Sequence, residues 1–303
     1  MLRRTFALPT IAFAMSILAA MDAVAALPQR TFVASNGIDT NPCTIVSPCR
    51  GFTAALAHTA SGGEIIVLDS AGYGPVTINQ AVSIIAPAGI YAGVSVFSGD
   101  GILVDAPAAI VALRGLTIMG LGGTKGINVI NVGQLRVEGV HVSGFAATLS
   151  FGLVFAASNG SVTVTHSAFE GNWVGIESEP PASTKASIVV EDTLLTQNAG
   201  GYRSHGPGTT NAVMTRTNAS TNSQIGFFNG TVADTLTLEN CVASHNSIDG
   251  IISTGTTVLS NNTVTNNNIG VAVAGGTTET RQNNTVRLNT TPVSGSLTNV
   301  SGI

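Results

Sequence analysis

Four residues near the middle of the chain could move protons and hold an acidic sugar. Glu177 and Glu179 sit two apart, and Arg203 and His205 repeat that spacing further along the chain. Two carboxylates beside an imidazole and a guanidinium suit proton transfer on a uronic-acid sugar, with Arg203 neutralising the substrate carboxylate. They equally suit two-acid hydrolysis of a glycosidic bond. Either chemistry requires a fold that lays these two distant pairs side by side.

The chain supplies such a fold by repetition. Gly followed by an apolar residue recurs at Gly101-Ile102, Gly126-Ile127, Gly152-Leu153, Gly175-Ile176, Gly201-Tyr202, Gly226-Phe227, Gly250-Ile251 and Gly270-Val271. The interval is nearly constant and falls in the range of stacked repeat architectures. Asn172, Asn198, Asn222, Asn246 and Asn267 precede five of these glycines by three or four positions, and a degenerate last copy closes with Asn289. A unit this small cannot bury its own apolar face, but stacked units can. Short strands alternate inward and outward residues, and equivalent residues of adjacent turns stand about 4.8 Å apart. Asn tolerates left-handed backbone angles and bonds locally, which suits corners. The period predicts an all-β, single-stranded, right-handed parallel β-helix, a solenoid with a short N-terminal capping helix. Equal turns argue against a sandwich, and a blade of a propeller is longer, about 40 residues.

These Asn-x-x-Gly-Ile-type turns resemble the repeats of the pectin-lyase-like superfamily over roughly residues 63–290. The preceding segment, Thr31 to Asp69, is similar to the start of secreted bacterial right-handed β-helix repeat proteins. The resemblance implies that a ligand groove lies over the sheet following the Asn-x-x-Gly turn. It also implies what catalysis would need: aspartate clusters for calcium, paired aspartates with an arginine, or several aspartates with a histidine. None of those aspartate sets is present.

Register assigns the groove. Taking the residue after Gly as inward, the first outward column reads Leu103, Asn128, Val154, Glu177, Arg203, Phe228, Ile252, Ala272. The second, two residues on, includes Glu179 and His205. The candidate catalytic residues are therefore Glu177, Glu179, Arg203 and His205, against the alternative of cross-strand ion pairs without chemistry. The candidate binding residues are Asn128, Phe228 and Trp173, the last in the Asn172 turn. His166, Asp192, Arg216, Asn240 and Asn261 form another column, expected to be a polar corner ladder. The column Ser167, Thr193, Thr217, Cys241, Asn262 suits a small inward corner, which makes Cys241 a buried structural thiol. The five histidines show no paired ligand spacing, so neither a metal nor a cofactor is expected.

The ends follow from the need to cover open strand edges. Residues 51–60 read as an amphipathic helix with Phe52, Ala55, Leu56 and Thr59 on one face, and Glu64 to Leu68 as the first strand. Cys43 and Cys49, in a short loop with two prolines, are expected to pair in an oxidising compartment. Arg3 and Arg4, the apolar run Phe6 to Ala20 and the small residues up to Ala26 form a signal peptide. The expected organisation is signal peptide 1–26, N-terminal cap 27–62, β-helix 63–290 and C-terminal tail or cap 291–303. After signal cleavage no stable membrane span is expected, and the protein is secreted or periplasmic.

Composition narrows the partners. Charged residues are 9% of the chain, hydrophobic residues 44%, and the formal net charge is −4. This excludes a disordered chain and a nucleic-acid-binding surface. The leading expectation is an exported protein that binds carbohydrate or surface polymers along its lateral face without catalysis. The alternatives are a polysaccharide lyase or glycoside hydrolase using the Glu/Arg/His patch, and a structural or adhesive surface protein. The sequence leaves the oligomeric state open.

Overall fold

The computed structural model describes residues 26–301. The expected signal peptide lies outside the described residues except for its last position. The chain winds as a parallel β-solenoid with one short helix. A representative turn holds strands Ala168–Glu170, Val174–Ser178 and Lys185–Glu191, each paired in parallel with its equivalent one turn later.

The recurring glycines have a steric cause. A Cβ on Gly152, Gly175 or Gly201 would lie 2.6–2.7 Å from the carbonyl oxygen of the corresponding glycine in the next turn. The same contact holds from Gly101 through Gly250. No side chain fits there, so the glycine column is fixed by close backbone stacking rather than by dihedral preference. The residue that follows fills the core: Ile102, Ile127, Leu153, Ile176, Tyr202, Phe227, Ile251 and Val271 align in one ladder and are buried.

The asparagines form a continuous internal ladder. The Oδ1 of Asn198 accepts from both the backbone N–H and the Nδ2 of Asn172; Asn246, Asn267 and Asn289 repeat that pattern with the asparagine one turn before, and Asn222 accepts from the Asn198 backbone N–H. Each Nδ2 also donates to a strand carbonyl, as Asn222 does to Leu195 at 3.1 Å. The corner's backbone groups are thereby satisfied inside the wall. The residue before each of these asparagines takes a left-handed conformation, for example Gln197, Thr221, His245 and Asn266 at φ 56° to 58°.

The N-terminal end is closed. The helix α1, Phe52–His58, buries Phe52, Ala55 and Leu56 against the first turns. Cys43 and Cys49 are disulfide-bonded, with Cα atoms 4.7 Å apart. Their loop occupies the free edge of the first strand: Phe32 N–H donates to Cys43 O, and Cys49 N–H donates to Phe32 O.

Two expected boundaries move. Arg30–Val33 pairs in parallel with Gly63–Val67, so the first strand lies inside the segment assigned to the cap and precedes Glu64. At the other end Thr291–Ser294 and Thr298–Asn299 extend the ladders past residue 290, with Val293 stacked on Val271. The ladder is a backbone property, so it continues through side chains too polar to announce a strand.

Candidate functional site

The lateral sheet that carries the site is built as the register predicts. Leu103, Asn128, Val154, Glu177, Arg203, Phe228, Ile252 and Ala272 form one continuous outward ladder. Outward does not mean exposed, however. Glu177 and Val154 are buried, and Asn128 nearly so. Beside this ladder stands the column of residues that precede each glycine. There Phe151 and Val174 pack with Val154 and with Trp173 into an apolar cluster on the outside of the wall.

Glu177 and Arg203 meet across adjacent turns. Arg203 Nε donates to both Glu177 carboxylate oxygens, at 2.6 and 2.9 Å. The Glu177 side chain is fully buried, whereas that of Arg203 keeps 22% exposure. The Arg203 guanidinium also lies over the Trp173 ring, 4.7 Å from its centroid, and Trp173 meets Phe151 edge-on at 5.4 Å. Trp173 therefore does not stay at its corner; it leans over the sheet and holds Arg203 in place. Burial pushes the Glu177 carboxyl up to about 8; Arg203 opposes the shift, and neighbouring Glu179 adds to it. His205 is exposed, its Nδ1 3.8 Å from Glu179 Oε1.

A small pocket opens beside this cluster, lined by Trp173, Val174, Gly200, Arg203, Ile225 and Phe228 among others. Gly200 creates it. In the column before the repeat glycine, every turn from Asp100 to Ile269 carries a side chain except this one. A Cβ on Gly200 would meet only Val174 methyls, at 3.6 Å or more, so space alone does not demand glycine.

The predicted residues thus divide. Glu177, Glu179, Arg203 and His205 come together, and Trp173 and Phe228 join them. Asn128 does not: it lies two turns below Glu177, and its Nδ2 donates to Asp100 at 2.7 Å. His166, Asp192 and Arg216 form a separate, solvent-facing corner ladder, each at φ 47° to 50°. Cys241 is buried without a disulfide partner, and burial raises its thiol to about 11. Gly200 and the Phe151–Val174 packing escape a register followed only downstream of each glycine. The column just upstream, Asp100, Lys125, Phe151, Val174, Gly200, Ile225, carries the signal openly.

As a metal site the cluster is poor. Glu177, Glu179 and His205 bring three donor atoms within 4.8 Å of one another. Both Glu177 oxygens are already taken by Arg203, which places a cation where an ion would bind. Only one imidazole is offered, and no thiolate or thioether stands in the cluster.

Among solved structures, pectate lyase Pel9A superposes with a TM-score of 0.65 at 17% identity, covering 91% of this chain and 78% of its own. A rhamnogalacturonan lyase matches with a TM-score of 0.47 at 12% identity, over 78% of this chain and 76% of its own. The first likeness shows the fold. No curated protein matches the sequence. Residues 96–300 match the model of a family described as periplasmic copper-binding protein (NosD). Among the described residues, the one group of three metal-ligating side chains, Glu177, Glu179 and His205, offers a single imidazole beside the Arg203 cation and does not fit the copper of that description. No helix among the described residues is long and apolar enough to cross a membrane. With more than half of its length matched, from the end of the strand Ala92–Val96 to the last strands of the solenoid, the chain belongs to the NosD family.

Proposed function

We propose that this protein works outside the cytoplasm and binds a polysaccharide or cell-surface glycan along its lateral sheet, without cleaving it. One observation carries the proposal: Trp173, Arg203 and Phe228 stand together as a stacked aromatic and cationic anchor beside a pocket. Sugar rings present apolar C–H faces that pack on aromatic rings, while guanidinium N–H groups hydrogen-bond to their oxygens. Glu177 serves this anchor by fixing Arg203 at its Nε, which leaves the terminal nitrogens for a ligand. Its burial keeps it from a scissile bond while that contact lasts.

A second reading has one observation in its favour. Burial raises the Glu177 carboxyl to about 8, the direction a general acid needs. The two readings separate in a polysaccharide panel assayed for both retention and depolymerisation. Retention that is lost in Trp173→Ala, with no new chain ends, supports binding alone. Chain cleavage that disappears in Glu177→Gln would replace it with an enzyme. Failure to retain any polysaccharide would count against both.

A further inference from the structure

The pocket over Gly200 has a composition that selects among sugars, and the inference drawn from it rests on the glycan-binding proposal. Its floor is the bare backbone of Gly200 and its walls are apolar, from Val174, Ile225 and Phe228. Two polar groups stand at its rim. Arg203 uses only Nε within the described residues, so Nη1 and Nη2 remain as donors. Gln224, exposed at the other side, makes no side-chain hydrogen bond among the described residues, so its carboxamide oxygen is an available acceptor.

Desolvation against these apolar walls decides against an acidic sugar here. Arg203 is already paired with Glu177, and Glu179 lies beside them. Asp249 is the next residue after Ile225 in the column that walls the pocket. The nearest lysine on that column, Lys125, is three turns from Gly200. A carboxylate entering the pocket would lose water against apolar walls, and the one charged group in the lining, Arg203, already donates to Glu177. A neutral group with an apolar end, an acceptor and a donor meets neither cost.

We infer that the Gly200 pocket is a subsite for the acetamido group of an N-acetylated sugar. The methyl sits over Gly200, the carbonyl oxygen accepts from the Arg203 terminal nitrogens, and the amide N–H donates to Gln224. The sugar ring then lies against Trp173 and Phe228. An O-acetyl group would fill the same space but lacks the N–H that Gln224 would accept.

The test uses the full-length protein and four probes: an N-acetylglucosamine hexamer, its de-N-acetylated counterpart, an O-acetylated xylan oligomer and oligogalacturonate. The hexamer is expected to bind best, with the de-N-acetylated form about 10- to 100-fold weaker, as removal of a pocket-filling group with its hydrogen bonds requires. Gly200→Val fills the pocket and should erase that preference; Gly200→Ala, which adds a single methyl at ordinary contact distance, should erase part of it and serves if the valine variant folds poorly. Tighter binding of oligogalacturonate, equal binding with and without N-acetyl groups, or an unchanged preference in both Gly200 variants would overturn the inference. If Trp173→Ala abolishes such acetyl-blind binding, lateral glycan binding stands and only the subsite falls. If none of the probes and no other polysaccharide binds, both fall.

Discussion

Glu177 with Arg203, and Asp192 with Arg216, are both carboxylate–guanidinium pairs, each across adjacent turns. Their environments are opposite. The first lies on a sheet face and buries its carboxylate completely, leaving the guanidinium 22% exposed. The second lies at a corner, on residues at φ 47°, with side chains 32% and 54% exposed, although its two hydrogen bonds of 2.7 and 2.8 Å are as good. Side chains of the His166, Asp192 and Arg216 column splay into water. Side chains on the sheet face stand beside neighbouring columns that can pack with them, as Phe151 and Val174 do with Val154, and Arg203 links Glu177 to the Trp173 ring. Local geometry of the pair is therefore a poor guide to its role; what stands next to it decides.

The largest separation between the two pairs is expected on removing the arginines. Arg203→Ala leaves a buried carboxylate without its partner and should cost about 3 kcal/mol at pH 9, less at pH 5 where the carboxyl takes up a proton. Arg216→Ala should leave the urea midpoint unchanged within error. Equal losses would erase the distinction.

pH should separate the pairs by sign. The folded protein holds the Glu177 proton up to about 8 against an ordinary value of 4.5. It then binds more protons than the unfolded chain between those values, so stability falls as pH rises through that window. Glu177→Gln should flatten this slope. Arg216 holds Asp192 below its ordinary 3.8. Its contribution is present above that pH and is lost as pH falls below it, so Asp192→Asn should alter only the acid limb. Thermal melts from pH 3 to 9 on the three proteins check both limbs.

The smallest effect is ionic. Salt at about 1 M shortens the screening length to about 3 Å and should weaken the exposed pair while sparing the buried one. Double-mutant cycles at low and high salt read this directly, and a salt-sensitive Glu177–Arg203 coupling would mean that water reaches the buried carboxylate.

Much of this was legible in the sequence. The glycine period marks the turns, and alternation from each glycine yields the ladder that joins Glu177 to Arg203. The corner ladder of His166, Asp192 and Arg216 was legible too, because left-handed corners follow from the same period. Alternation states which way a side chain points, though, and not what covers it. Glu177 is held by Arg203, which in turn meets Trp173 reaching out of its turn, and alternation does not give that contact. Asn128 was grouped with the site because it faces the same way, yet two turns of separation and Asp100 tie it elsewhere. The ends were missed for a different reason: Arg30–Val33 precedes the first repeat glycine and Thr291–Ser294 follows the last with mostly polar residues, and both are strands because a neighbouring ladder accepts them.

The most direct test of lateral glycan binding without cleavage is size-exclusion chromatography of the protein mixed with a fluorescently labelled polysaccharide panel. It reads retention and chain length in one run. At least one labelled chain should co-elute with the protein at undiminished length and elute free when the Trp173→Ala variant takes its place. Labelled chains that emerge shortened, or a panel that never co-elutes, would contradict the proposal.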